Sequence, residues 1–219
     1  MDDLTNDEII LAGLGEIGEV DGRRRNRNLS RLRSMAKSEI GASRFRRHFL
    51  ERVQKLPRNV QTDLIRGKAQ ISDAPYYATS ELKGTRSELI RLSVSEELGI
   101  TNIDNGKLNK DRFLTLSGIR LLYDKASTKG AFIDPFPPDL LNGEWELELN
   151  GKKVFEKQPI RRFFDGFYGY NTSKPFGLYV LNNPKIINPQ TPIEFNVNVP
   201  SEVQGFLKVF LEGTSVYSY

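Results

Sequence analysis

Glu144, Glu146 and Glu148 occupy alternate positions of one stretch, a pattern that could hold a cation or pair a general acid with a base. Trp145, Leu147 and Leu149 lie between them, so the three read instead as the solvated face of a strand. Catalytic carboxylates converge from different elements into a cleft. His48 is the only histidine, it lies beside Arg46 and Arg47, and cysteine is absent. These counts remove a disulfide framework, a thiolate metal site and a Cys nucleophile, and they leave no second ligand or free base for a His metal site or a Ser-His-Asp triad. His48 is expected to be one more exposed polar group. Gly13, Gly15 and Gly18 spell G-x-G-x-x-G, but a dinucleotide site needs a strand before the glycines and strand–helix alternation after them. Gly22 and a block of arginines follow instead, so the stretch reads as a glycine-containing helix. Asp104-Asn105-Gly106 begins like a calcium loop, yet no acid follows at the spacing of a bidentate Glu, and it reads as a turn. With no P-loop and no nucleophile elbow, the chain is expected to be non-enzymatic, without metal or cofactor.

The chemistry that remains is recognition of polyanions. Between Arg23 and Arg58 stand thirteen Lys and Arg residues against only Glu39 and Glu51, while residues 1–20 contain no base. Arg leads Lys by eleven to two in this run, and a planar guanidinium forms paired hydrogen bonds to phosphate. Arg23, Arg24, Arg25, Arg27, Arg31, Arg33, Arg44, Arg46 and Arg47 are therefore the candidate nucleic-acid contacts, binding phosphate rather than reading bases. An anionic membrane surface would attract the same residues. A second candidate surface comprises Arg161, Arg162, Phe167, Tyr168 and Tyr170, where Arg and aromatics interleave with Gly and Asn as they do at interface centres. A loop folded over the end of the core would use the same residues.

The elements that must position these groups fall into two regions. Residues 1–85 read as a basic, partly helical arm or subdomain. Thr5 and Glu8 form a capping box ahead of Ile10, Leu14 and Ile17. Over 43–56, Phe45, Phe49, Val53 and Leu56 make one apolar stripe, with Arg44, Arg47, Arg52 and Lys55 largely off it, and Pro57 ends the helix. A short second helix is expected around 59–66, closed by Gly67. Residues 71–85 read as a crossing segment. From 86 to 219 the period changes to two. Strands are expected over 87–95 (Ile90, Leu92 and Val94 on one face), 113–123 (bent or bulged at Gly118), 143–150, 152–157, 178–181, 185–187, 193–199 and 206–212. Asn150-Gly151 supplies a type I′ hairpin turn. Short strands separated by Pro- and Gly-rich connections indicate an antiparallel β-sandwich, with a single jelly roll as one solution.

This layout resembles the jelly-roll capsid proteins of icosahedral viruses, those of tailless bacteriophages among them. The likeness is carried by the Arg23–Arg58 arm, the strand series from Phe113 to Glu212, the Pro/Asn-rich loop over 182–192 and the closing strand to Tyr219. It covers the C-terminal half by strand pattern and the arm by charge. It implies a coat, vertex or minor capsid subunit in the virion, made in the host cytoplasm. The sandwich would build the shell with further copies or other capsid proteins, and the arm would face the genome or an internal membrane. The N-terminus lacks the basic start and apolar stretch of a signal peptide, and no apolar run has the length of a membrane span. Two other classes remain open at this level. One is a nucleic-acid-binding regulator with helices around 43–66 on DNA. The other is a β-sandwich ligand-binding module with Trp145, Tyr168 and Tyr170 as its platform.

Overall fold

Extended segments pair into two antiparallel sheets, and an amphipathic helical layer covers the outside of one. The structure, a computed structural model, describes residues 44–73, 75–164 and 175–218. Expectations for the arm before residue 44 lie outside that range. In chain order come α1 (Arg44–Arg52), a 3-10 turn (Val53–Lys55), α2 (Arg58–Ile65), β1 (Ala69–Ser72), β2 (Tyr76–Glu81), β3 (Arg86–Ile90) and β4 (Arg112–Asp124). Then follow α3 (Pro138–Leu141), β5 (Glu144–Leu149), β6 (Lys152–Pro159), a second 3-10 turn (Ile160–Phe163), β7 (Leu178–Ile187), β8 (Ile193–Asn198) and β9 (Phe206–Ser218).

One sheet runs β1-β9-β4-β7, with β2 also paired to β9, and the other runs β3-β8-β5-β6. Within these sheets the pairs β2/β9, β3/β8, β4/β7 and β5/β6 nest one inside the next, all antiparallel. The chain is thus mainly β, two antiparallel sheets packed as a β-sandwich. Leu114, Leu116, Ile119 and Leu121 of β4 and Leu207, Val209 and Leu211 of β9 meet Trp145, Leu147, Phe195 and Val197 of the opposite sheet in one core. Trp145 stacks on Phe195 at 5.5 Å between ring centroids and touches Phe155, Phe163 and Tyr179 as well.

Several expectations hold. Asn150 (φ 52°) and Gly151 (φ 70°) both lie in the left-handed region and join β5 to β6. A type I′ turn requires this of its two central residues, because its twist matches that of the flanking strands. The register of β4 shifts between Leu116 and Gly118 against both neighbours, so the bulge falls where the glycine predicted it. Asp104–Lys107 is a turn with Asn105 and Gly106 at positive φ.

Others are corrected. Strand structure begins at Ala69, not at 86, and the segment read as a crossing contains β2, hydrogen-bonded to β9 from Tyr76 to Glu81. Its small and polar side chains, Ala78, Thr79 and Ser80, are all buried, which erases the alternation a sequence reader looks for. β3 ends at Ile90, because a register shift against β8 turns both Leu89 and Ile90 inward and leaves Leu92 exposed. The stretches over 178–181 and 185–187 are one strand, so the first half of the Pro/Asn-rich loop is β7. β9 continues past Glu212 to Ser218, because Gly213 marks a shift opposite β4, not a stop.

Candidate nucleic-acid interface

The apolar stripe of α1 and the following turn, Phe49, Val53 and Leu56, joins Val60 and Leu64 of α2 in a second core. It is completed by Ala69, Phe113 and Val216 from the outer face of the β1-β9-β4-β7 sheet. At the start of α1, Phe45 lies over Gly118: a Cβ there would come within 3.2 Å of the phenyl Cζ. The missing side chain therefore sets how closely the helix approaches the sheet. Leu56 is extended (φ −67°, ψ 154°) ahead of Pro57, and Gly67 (φ 67°) follows α2, the conformations that proline and a C-terminal glycine impose. Gln61 is buried and donates from Nε2 to the carbonyls of Leu56 at 2.6 Å and Gln54 at 3.1 Å, which supplies partners for orphan groups at the joint between the helices.

With the apolar stripe turned to the sheet, the opposite face carries charge. Arg47, Lys55, Arg58, Arg66 and Lys68 are exposed and Arg46 is half-buried. Residues 44–68 hold eight basic residues against Glu51 and Asp63. Arg66 and Lys68 extend the basic surface beyond the predicted set, and the continuing excess of base over acid past Arg58 was the available signal. Arg52 does not belong to this surface. Its Nε donates to the Pro184 carbonyl at 3.0 Å and its Nη2 to Asn183 Oδ1 at 3.1 Å, fastening α1 to β7. Of the predicted phosphate contacts, Arg46 and Arg47 sit on α1 and Arg44 opens it, its side chain outside the described residues. Arg23, Arg24, Arg25, Arg27, Arg31 and Arg33 lie outside them altogether. His48 is half-buried on α1, not the exposed group expected of it.

In the second candidate surface, Arg161 and Arg162 are exposed on the 3-10 turn whose Ile160 and Phe163 enter the core. Arg162 is engaged within the chain: its guanidinium lies 5.0 Å over the Tyr179 ring and donates to Gln158 Oε1 at 2.9 Å. Phe167, Tyr168 and Tyr170 lie outside the described residues. Phe164 and Phe176, on either side of them, pack on Phe136 with centroids 4.8 and 6.5 Å away.

The three glutamates need a correction. Glu144 is exposed and Glu148 half-buried, but Glu146 is buried and accepts Lys153 Nζ at 3.2 Å on both carboxylate oxygens. That hydrogen bond, with the charges of Glu146, Glu156 and Glu148, holds the Lys153 ammonium above its ordinary pKa of 10.5. Glu146 is thus one half of an ion pair between neighbouring strands. Among the described residues, no group of three or more His, Asp or Glu is placed to hold a metal ion, and no helix is long and apolar enough to cross a membrane. A cavity of about 30 Å³ beneath β2 and β3 has room for a water or two beside the buried Thr79 hydroxyl, far below the volume of a small-molecule site.

Compared with known proteins, the chain matches no family model and no curated relative.

Proposed function

We propose that this chain is a non-enzymatic structural subunit of a virion, a coat, vertex or minor capsid protein. Its sandwich would be a single jelly roll, and its basic N-terminal region would contact nucleic acid through phosphates. The observation that carries the reading is the strand order. The orders β2-β9-β4-β7 and β3-β8-β5-β6, with nested pairs and, apart from the β5–β6 hairpin, successive strands from β2 to β9 in alternate sheets, are what a long antiparallel hairpin produces when it rolls into two Greek keys. Jelly rolls also occur outside capsids, so the basic helical layer is the second support. It places charge of predominantly one sign on one outer face of a wall-forming sandwich, where a polyanion could lie against it.

The test is assembly of the full chain, followed by light scattering and negative-stain microscopy, with and without random-sequence nucleic acid. Shells, rings or pentamers are expected. Replacing Arg47, Lys55, Arg66 and Lys68 by Ala should lower the slope of log affinity against log salt by about 0.9 for each phosphate no longer neutralised. A protein that never exceeds a dimer and selects one DNA sequence would establish the regulator instead. Binding restricted to anionic lipid vesicles would move the arm from genome to membrane.

A further inference from the structure

We propose that the surface carrying Leu98 and Ile133 is a homotypic contact, on which a second copy of this chain docks about a two-fold axis. It builds on the reading of the chain as an assembly subunit and names where one contact lies. Three large hydrophobic side chains are exposed among the described residues: Leu92 at 45%, Leu98 at 91% and Ile133 at 80%. Single exposed aliphatics are ordinary, but Leu98 and Ile133 belong to one place. Lys208 Nζ donates to the Gly99 carbonyl at 3.0 Å and lies 5.2 Å from the centre of the Phe132 ring. The loops that carry Leu98 and Ile133 therefore meet at a single ammonium. Tyr77 at 4.5 Å and Phe210 at 5.7 Å complete the aromatic surround. Lys129 Nζ meets Glu97 Oε1 at 3.0 Å and ties the same two loops a second time.

Both loops are anchored beneath this surface. Asp124 accepts the backbone N–H groups of Ala126, Ser127 and Phe132 at 2.9–3.1 Å, which holds its carboxyl below the usual range. The loop bearing Leu98 runs beside β2, where Thr79 N–H donates to the Ile100 carbonyl at 2.8 Å and Tyr77 N–H to Asn102 Oδ1 at 2.6 Å. A surface ordered in advance loses little entropy on docking.

Charge selects the occupant. Glu96 and Glu97 precede Leu98, whereas Lys125 and Lys129 share the loop of Ile133, and Glu96 and Lys125 are both exposed. A partner of one charge sign would be repelled by half of this surface. A second copy turned end for end sets Leu98 against the second copy's Ile133 and Glu96 against the second copy's Lys125, and both contacts occur twice.

Sedimentation velocity of the full chain at increasing concentration tests this. Leu98→Ser with Ile133→Ser should raise the dimer Kd about a hundredfold, while the emission of Trp145 reports an unchanged fold. Glu96→Lys should weaken association about tenfold, and Lys125→Glu added in the same chain should restore it. A strictly monomeric wild type overturns the contact, as does a serine variant that associates like wild type or a charge exchange that restores nothing. Serine variants that still form shells would remove this contact and leave the subunit reading standing. A dimer broken by the substitutions, with no larger assembly under any condition, would keep the contact and remove the subunit reading.

Discussion

The two outer faces of the sandwich are finished in opposite ways. Outside the β1-β9-β4-β7 sheet, Phe113 and Val216 are apolar, and α1 and α2 bury them under a layer whose own outer surface is basic. Outside the β3-β8-β5-β6 sheet no described helix packs. Glu144, Glu146 and Glu148 of β5 stand opposite Asn198, Asn196 and Glu194 of β8, and Glu148 is also opposite Lys153 of β6. Like charges facing across strands repel, so Lys153 sits where the acids would otherwise be unrelieved. This polar face needs no helix over it even though Glu146 and Asn196 at its middle are buried, whereas an apolar face demands a cover. The cover is then free to carry a different charge from the rest of the molecule. The edge strand β6 belongs to the bare sheet, and its Lys152, Lys153, Lys157 and Pro159, with register shifts along its pairing, blunt it against further strand addition.

The largest effect should come from lifting the cover. Phe49 is 1% exposed, and Phe49→Ala should cost about 3–5 kcal/mol in urea unfolding followed by the single tryptophan, while Glu144→Ala on the bare face should stay within about 0.5 kcal/mol. Equal costs would mean that the helices merely rest on the sheet.

A smaller effect concerns Glu212, which lies opposite Gly118 on the covered sheet. Burial raises its carboxyl above the ordinary 4.5, and the Arg120 charge partly opposes this. A raised carboxyl contributes stability that is complete below the unfolded value and is lost as pH rises through the folded value. Glu212→Gln should therefore raise Tm at neutral pH and change it little in acid. A variant less stable than wild type at pH 7 would refute the assignment.

The smallest effect belongs to the bare face. Lys153 is held above 10.5 by Glu146, so the stability from this pair is present below that value and fades as alkaline pH passes the folded one. Glu146→Gln should return the Lys153 titration, followed by NMR, toward its ordinary position. Because the Lys153 side chain is 45% exposed, Tm should fall by less than for Phe49→Ala.

What sequence could show of this contrast depended on local signals. The Asn150-Gly151 turn, the bulge at Gly118 and the stripe from Phe49 to Leu56 are each specified within a few residues, and each stands where predicted. β2 escapes such a reading because Ala78, Thr79 and Ser80 are buried without being strongly apolar, so only its ladder with β9 makes it a strand. Arg52 reads as one more base off the apolar stripe, because distance from the stripe is all that a helical wheel reports. Its partners, Asn183 and Pro184, are more than a hundred residues away. Glu146 reads as solvated because alternation defines two faces and says nothing of a lysine on the next strand.

By itself, then, the sequence determined the concentration of base between Arg23 and Arg58, the single histidine and absent cysteine, and the positions of the tight turns, all of which follow from residue type and near-neighbour spacing. Only the tertiary structure decided which face of which sheet is covered, that Arg52 fastens α1 to β7, and that the loops carrying Leu98 and Ile133 meet at Lys208. Those outcomes depend on groups brought together across the chain by the nested pairing of strands, and no local pattern carries that distance.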